Sequence, residues 1–591
     1  MDMAVNVENA AAPAPLWAAL RLWLIAPPLG VAFVGLAAWL QRGFWLNSCP
    51  GQIGADCDGR WFDLQRVFLA ETILCLAACA VAVLAFRGLE PNAFGHALRQ
   101  EKLAKCLALF ACALALAGPL LAAWFVLGRF ANSGDEYSYL FQARTFADWR
   151  LWRDAPVLGS DLIPNRTWIV DGKWISQYPP GWAAVLAAGS RLGLPIWTIN
   201  PLIGAASVAA LAMFCRRVAA SWTSALLVLL YAATPFYVLN AASYFPHVFS
   251  SLLILVLCLC LQGEDATRGR LIAAGASLGA LAATRYFDIL ALIPALLMWL
   301  WAAKPGDRPR RIGLLAAGFA PFVALLALYQ AALLGSPFRS TYSVINSPDT
   351  FLSLDPALLA VGPLVAAVRL AELALWTSPL LLLAYGASLA AKWRTRSFAF
   401  YDLIFPSFVV AYLAFANFGG NRYGPRYYLD ALPLAVATIA TAAPAAAIAP
   451  RLAAPLAPVG ISAFVLYLVA AWPLAAAGFA RQIWSRQEPF RLAAEAGLAH
   501  AVVIEETTSG AGLVLPDLVR NPPSMDAPVL YARAGADVAA IREAFAERSI
   551  WRYSRPDPAK PGRLIRLSSP VERSETGEGD RPKAGGGGFG G

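Results

Sequence analysis

Apolar residues run in long blocks along this chain, broken by short stretches that hold most of its Lys, Arg, Gly and Pro. A membrane-crossing helix needs about 20 predominantly apolar residues. Thirteen stretches come close enough to be candidates: 16–40, 67–88, 105–127, 196–215, 222–242, 245–262, 271–285, 287–303, 312–333, 372–391, 399–418, 430–448 and 455–478. Several are short or closely spaced, so 222–262 and 271–303 can each be misread by one span, and the Ala-rich 430–448 is the weakest. The pattern predicts a polytopic α-helical membrane protein with about 13 transmembrane helices, extracytoplasmic loops and a small C-terminal α/β domain.

The cations between the blocks suggest an orientation. Arg87, Arg99, Lys102 and Lys105 flank the second and third spans, Arg216 and Arg217 follow the fourth, and Arg268 and Arg270 precede the seventh. Lys304, Arg308, Arg310 and Arg311 lie between the eighth and ninth, Lys392, Arg394 and Arg396 follow the tenth, and Arg451 precedes the thirteenth. All these junctions share one side if the N-terminus is cytoplasmic, as expected where Lys and Arg hold short loops inside. The first twenty residues contain no Lys or Arg, so the first block reads as an uncleaved span rather than a signal peptide. This sets 41–66, 128–195, 334–371 and 479–591 on the outer side of the membrane.

The last of these segments differs in kind. From residue 479 onward the chain is densely charged. VVIEE (502–506) and VLYAR (529–533) read as short buried strands, and DVAAIREAFAERS (537–549) reads as an amphipathic helix. The tail ending in KAGGGGFGG has too few apolar residues to fold. The expected organisation is 1–104, two helices with an outer Cys-containing loop; 105–478, a transmembrane core with its large outer loop 128–195; 479–569, a small soluble domain; and 570–591, a Gly-rich tail.

Composition narrows the class. Of 591 residues 59% are apolar and 14% charged, against roughly 25% charged in an average soluble protein; a disordered chain and a soluble enzyme are both excluded. The net charge of +10 is spread thinly between apolar blocks, a topological signal rather than a nucleic-acid patch. Seven of the nine cysteines lie in or beside apolar blocks. Cys49 and Cys57 instead flank the polar loop PGQIGAD, where an oxidising compartment allows a disulfide; two free thiols are the alternative. With three His and no CxxC pair, no metal ligand set is evident and none is expected.

Polar residues that could carry chemistry gather at the outer turns. ANSGDEYSYLFQARTFADW (131–149) sets Asp135 and Glu136 where the third span leaves the bilayer, followed by Tyr137 at the start of a helical repeat. Adjacent carboxylates there suit general-base work, or are two solvated loop acids. WISQYPPGWAAVLAAG (174–189) turns the chain at Pro179, Pro180 and Gly181, with Tyr178 and Trp182 suited to the aromatic belt. FANFGGNRYGPRYYLDALPL (415–434) places Arg422 and Arg426 among tyrosines. Arginine grips phosphate in a bidentate fashion, although snorkelling to headgroups is the plainer reading. Arg285 and Asp288 interrupt an apolar run in TRYFDIL, either as a local ion pair or as functional groups at depth. His247, in SYFPHVF, either contacts substrate or is simply hydrogen-bonded in place.

The segments GDEYSYLFQA, YPPG, TRY (284–286) and GPRYYLDALPL together resemble the GT-C class of membrane glycosyltransferases, near the protein O-mannosyltransferase and lipid A aminoarabinose transferase branch. Uncharacterised bacterial proteins with a DE(F/Y)SYL…YPPG pattern are a nearer likeness still. The resemblance spans roughly 105–560. It implies a sugar donor on a polyprenyl phosphate, bound from the outer leaflet, and an inverting transfer with Asp135 as base and Glu136 orienting or assisting it. Some relatives use a divalent metal. In the aminoarabinose branch a Glu-Lys pair precedes the two prolines, and its Lys meets the donor phosphate. Here Gln177 and Tyr178 stand in those positions, which argues against aminoarabinose transfer and leaves Arg285, Arg422 or Arg426 to meet the phosphate, with Tyr137, Tyr178 and His247 as further substrate contacts. The acceptor is an envelope glycan, lipid or protein. Two other classes remain open: a transporter or flippase of lipid-linked sugars, and a non-catalytic envelope assembly protein.

Overall fold

In the computed structural model the described residues are 39, 101–219, 222–263, 266–344, 356–414, 423–442, 450–505, 519–555 and 561–567. The candidate spans 16–40 and 67–88, apart from residue 39, and the residues Cys49, Cys57 and Arg422 lie outside them. The chain divides into two compact units. One takes the chain through Trp152 together with Ile175–Ile483, and the other takes Arg153–Trp174 together with the chain from Trp484 onward.

The first unit is helical. Four of its helices, Glu101–Val126, Ile196–Val218, Pro305–Leu334 and Leu359–Trp376, are long and apolar enough to cross a membrane. A fifth is possible if Thr223–Ala232 and Pro235–Ala242, bent by 54° from one another, form one broken span. Shorter apolar helices cover His247–Leu261, Tyr286–Trp301, Phe400–Ala411 and Leu432–Ala442. Where the sequence pattern suggested the continuous span 222–242, a polar residue and a proline break it. Thr234 caps the helix beginning at Pro235 by accepting from Tyr237 N, and Pro235 suits the first turn because it has no N–H to leave unpaired. Arg285 alone, in extended backbone, separates the helices Arg268–Thr284 and Tyr286–Trp301. Such breaks at membrane depth are tolerated where protein surrounds them.

Packing is inverted relative to a soluble bundle. On Glu101–Leu121 the buried positions include Ala111 and Ala115, while Leu109, Phe110 and Leu121 are exposed. Leu325 and Leu328 on Arg308–Leu334 are likewise exposed. Small residues inside and large apolar residues outside are what a lipid solvent selects, since close backbone approach and not hydrophobicity joins such helices. The crossing of Arg268–Thr284 with Arg308–Leu334 is the tightest instance: a Cβ on Gly275 would lie 2.0 Å from Leu315 O, and one on Gly318 would lie 2.0 Å from Ile272 O.

The second unit holds a four-stranded sheet of β4 (Ala501–Glu505), β5 (Val529–Ala532), β6 (Ser549–Ser554) and β7 (Arg563–Arg566) in the order β5-β4-β6-β7. β4 runs parallel to both neighbours and β6 antiparallel to β7. Val502, Ile504, Leu530 and Ile550 pack on one face, and Val503, Tyr531 and Tyr553 on the other. Burial of both faces explains why β4 reads as an unbroken apolar run. The helix suggested for 537–549 spans only Val538–Ala544, because residues from Ser549 onward pair with β4. The Arg153–Trp174 segment belongs to this unit and carries β1 (Arg153–Asp154), β2 (Thr167–Val170) and the first half of β3 (Lys173–Ser176). Its Leu162 enters the sheet's core. Asn521 Nδ2 donates to Leu162 O at 2.7 Å and Arg533 Nη2 to Ile163 O at 3.1 Å.

Candidate active site

The site begins with a helix start. Ser133 is extended (φ −146°, ψ 160°) and caps Gly134–Ala147, its Oγ accepting from Glu136 N at 3.2 Å. Glu136 answers: its Oε2 accepts from Asn132 N at 2.9 Å and from Ser133 Oγ at 3.2 Å. This is a variant of the reciprocal Ser-x-x-Glu capping arrangement. The other oxygen, Oε1, accepts from Tyr244 N at 3.1 Å, so the fully buried Glu136 joins the helix start to the 243–246 turn. The same geometry turns Asp135, one position earlier, to a different face.

Asp135 keeps 18% of its side chain exposed. Tyr178 OH donates to its Oδ1 at 2.5 Å and Arg426 Nη2 donates to its Oδ2 at 3.0 Å. Residues from the start of the Gly134–Ala147 helix, the YPPG turn and the GPRYY segment thus meet at one carboxylate. Tyr178 is fixed by its surroundings. It stacks on Tyr139, with centroids 4.4 Å apart and planes 24° from parallel. Its N–H donates to Ser176 Oγ at 3.1 Å, and its carbonyl accepts from Gln142 Nε2 at 3.2 Å. Burial pushes the Tyr139 phenol well up, so it stays neutral. Pro180 then opens the helix Pro180–Arg191. Gly181 lets that helix approach the end of Arg268–Thr284: a Cβ there would lie 2.5 Å from Thr284 Oγ1 and 2.8 Å from Ala283 O.

Arg426 is placed by a second close approach. Gly424 has φ +84°, and a Cβ there would meet the Trp376 ring at 2.9 Å. Pro425 and the 3-10 turn Arg426–Tyr428 follow. The Arg426 guanidinium lies 4.0 Å from the centroid of Phe245 and 5.4 Å from that of Tyr427, so it is held among rings and is only 5% exposed.

Arg285 belongs to a neighbouring network. Its Nε lies 2.9 Å from Asp288 Oδ2 and 2.9 Å from Asp430 Oδ2. Its Nη2 donates to Tyr412 OH at 2.7 Å, and Tyr412 OH donates to Asp288 Oδ1 at 2.9 Å. His247 Nδ1 is 2.8 Å from Asp430 Oδ1. Asp288, Asp430 and His247 are buried. The ring of Tyr427 joins this network to the first, with the Arg285 guanidinium 4.8 Å from its centroid and the His247 ring 5.6 Å away.

Of the residues the sequence singled out, Asp135, Tyr178, Arg426, Arg285 and His247 therefore form one connected constellation. Glu136 is turned into the fold. Tyr137 sits apart with Leu140 and Tyr244, its hydroxyl accepting from Arg144 Nη1 at 3.4 Å. Asp430, Tyr412, Tyr427 and Tyr139 belong to the constellation although sequence reasoning did not place them there. A carboxylate in an outer loop, as in YYLDAL, was the available signal for Asp430. Among the described residues no three His, Cys, Asp or Glu side chains gather as metal ligands.

An accessible carboxylate hydrogen-bonded by a phenol and a guanidinium can accept a proton from a hydroxyl, while the guanidinium can meet an anion. No family model and no curated protein matches the chain. Among solved structures it is similar to ArnT from Cupriavidus metallidurans bound to undecaprenyl phosphate, with 14% identity over 75% of this chain and 92% of that one and a TM-score of 0.45. It is also similar to the archaeal oligosaccharyltransferase AglB from Archaeoglobus fulgidus in complex with an inhibitory peptide and a dolichol-phosphate, with 13% identity over 71% of this chain and 64% of that one and a TM-score of 0.42.

Proposed function

We propose that this protein is an integral membrane glycosyltransferase that moves a sugar from a polyprenyl-phosphate carrier to a hydroxyl of an extracytoplasmic acceptor. The observation that carries the reading is the meeting of Asp135 with Arg426 and Tyr178 at a partly exposed carboxylate. The acceptor O–H gives its proton to Asp135 while its oxygen forms a bond to the sugar's anomeric carbon. The bond from that carbon to the carrier phosphate oxygen breaks, and its electron pair stays on the phosphate. Arg426 stabilises that growing charge, a role suited to a preorganised guanidinium in a site shielded from water. Tyr178 holds Asp135 in position, and Glu136 fixes the helix start from which Asp135 projects. Arg285, already engaged by two carboxylates and a phenol, positions Tyr427 and Tyr412. A multi-pass inner-membrane location, with the site on the outer side, completes the proposal.

The test uses the purified protein in lipid nanodiscs and a polyprenyl-phosphate sugar radiolabelled in the sugar. Sugar transfer to envelope acceptors is expected with the wild type and lost in Arg426→Ala. A protein that moves the intact labelled lipid across a bilayer without ever releasing sugar from it would overturn the reading in favour of a flippase.

A further inference from the structure

Two turns hold the Arg426 guanidinium, and two asparagines hold the turns. The first turn, 243–246, lies between the helices Pro235–Ala242 and His247–Leu261. It carries Phe245, whose ring centroid is 4.0 Å from the guanidinium. The second is the Tyr423–Pro425 turn, which leads into Arg426. The Tyr423 ring meets the Phe245 ring edge-on, with centroids 6.0 Å apart. Backbone carbonyls in apolar surroundings need donors, and Asn200, near the start of Ile196–Val218, supplies them to the first turn. Its Nδ2 lies 2.7 Å from Ser243 O and 3.2 Å from both Asn240 O and Phe245 O. Trp182 Nε1 donates to Tyr244 O at 2.8 Å, so the carbonyls of 243, 244 and 245 are each met by a side-chain donor. Asn240, at the end of Pro235–Ala242, reaches the second turn. Its Nδ2 donates to Phe236 O at 2.8 Å within its own helix and to Tyr423 O at 3.0 Å, 183 positions away. Both asparagines are 1% exposed.

We infer that Asn240 is a positioning residue for Arg426. It fastens the Tyr423–Pro425 turn to the helix that ends at the Phe245 turn, so the guanidinium and the ring beside it keep one fixed separation. Asn200 supports it by holding the Phe245 turn. The inference rests on the transferase reading of the site, in which Arg426 meets the carrier phosphate. A guanidinium that is already fixed has less freedom to lose when the phosphate arrives. A ring face holds a cation without occupying the N–H groups that a phosphate needs. Asparagine does not titrate, so its loss should act on phosphate affinity and on turnover and leave the pH dependence unchanged.

The experiment measures equilibrium binding of polyprenyl phosphate, and of the uncharged polyprenol, to the full chain in nanodiscs. The wild type is compared with Asn240→Ser, Phe245→Leu and Arg426→Ala. A serine at 240 can still return its hydroxyl to Phe236 O within the helix but is too short to reach Tyr423 O. Asn240→Ser should weaken polyprenyl phosphate about tenfold, the scale of one interhelical hydrogen bond in a membrane protein, and leave polyprenol binding unchanged. On the Arg426→Ala background the same substitution should have no further effect. Phe245→Leu removes the ring and no hydrogen bond; it should give the same pattern, and it decides the question if the serine variant fails to fold. A parallel loss of both lipids, or an undiminished further loss on the Arg426→Ala background, would overturn the inference. If Arg426→Ala itself leaves polyprenyl phosphate binding intact, the transferase reading fails. If Arg426→Ala loses that binding while Asn240→Ser and Phe245→Leu both keep it, that reading stands and the positioning role alone falls.

Discussion

Asp135 and Arg426, 291 positions apart in the chain, share a hydrogen bond of 3.0 Å between a carboxylate and a guanidinium that is otherwise wrapped in aromatic rings. The proposed base and the proposed phosphate ligand are therefore each other's partner. A carrier phosphate that takes Arg426 draws it from Asp135 and leaves the carboxylate to Tyr178 and the acceptor.

Asp135→Asn separates these roles. The amide cannot take the acceptor's proton, so transfer should fall by roughly 10²–10⁴-fold, the usual worth of general-base catalysis. It also no longer competes for Arg426 as an anion, so bare polyprenyl phosphate should bind several-fold tighter than to the wild type. Binding to nanodisc-embedded protein checks both, and weaker phosphate binding in this variant would contradict the exchange.

The network around Arg285 makes a second prediction. Asp288 and Asp430 are buried and share this one guanidinium. Removing it in Arg285→Met leaves two buried carboxylates short of their counter-charge, and breaking such a buried pair typically costs about 3–5 kcal/mol. Thermal unfolding in detergent should show a large loss. Asp288→Asn on the Arg285→Met background should restore part of it, because one uncompensated charge is removed. A double variant no better than the single one would mean that Asp288 contributes no charge to this network.

How far the site was legible in the sequence depends on which force placed each residue. The encounter of Asp135 with Arg426 could be anticipated because charges at the ends of apolar blocks have few partners except one another. The roles of neighbouring carboxylates could not. Asp135 and Glu136 are adjacent and chemically alike, yet the cap at Ser133 turns one inward and leaves the other accessible. The Ser-x-x-Glu spacing was present to be read. Arg285 looked like a local pair with Asp288, and that pair exists, but Asp430 joins it through tertiary packing that no spacing announces. The helix broken at Thr234 also read as one continuous apolar run, 222–242, since hydropathy averages over a single polar residue, whereas the break at Arg285 was read as a turn between two spans. In the second unit β4 and β5 were visible as apolar runs. β6 was hidden because SIWRYS follows a helix-like repeat, and Leu162, remote in sequence, completes its core.

Two glycines set how closely the elements of the site can approach. A methyl group at Gly181 would collide with Thr284 and Ala283, and one at Gly424 would collide with the Trp376 ring. Gly181→Ala should displace the turn carrying Tyr178, and Gly424→Ala, strained also by its positive φ, should displace Arg426. Both should lower transfer. Gly424→Ala should weaken carrier-phosphate binding as well, whereas Gly181→Ala should act on turnover with a smaller change in phosphate affinity. The reverse assignment of defects would show that these turns do not position the side chains as described.

Glu136 offers the sharpest contrast with its neighbour. Its two oxygens accept from Asn132 N, Ser133 Oγ and Tyr244 N, so it acts as a positioning residue that ties the helix start to the 243–246 turn. In Glu136→Gln one of those oxygens becomes an NH2 group facing a donor, leaving a buried N–H unmatched at a cost of about 1–3 kcal/mol. Stability should fall measurably, with a modest loss of kcat. The pH-rate profile should keep its shape, because the proposed base, Asp135, remains. Glu136→Ala should be less stable still, since every acceptor is lost at once. A Glu136→Gln protein as stable as the wild type but devoid of transfer would assign Glu136 a direct part in proton transfer, and the division of labour between the two carboxylates would have to be redrawn.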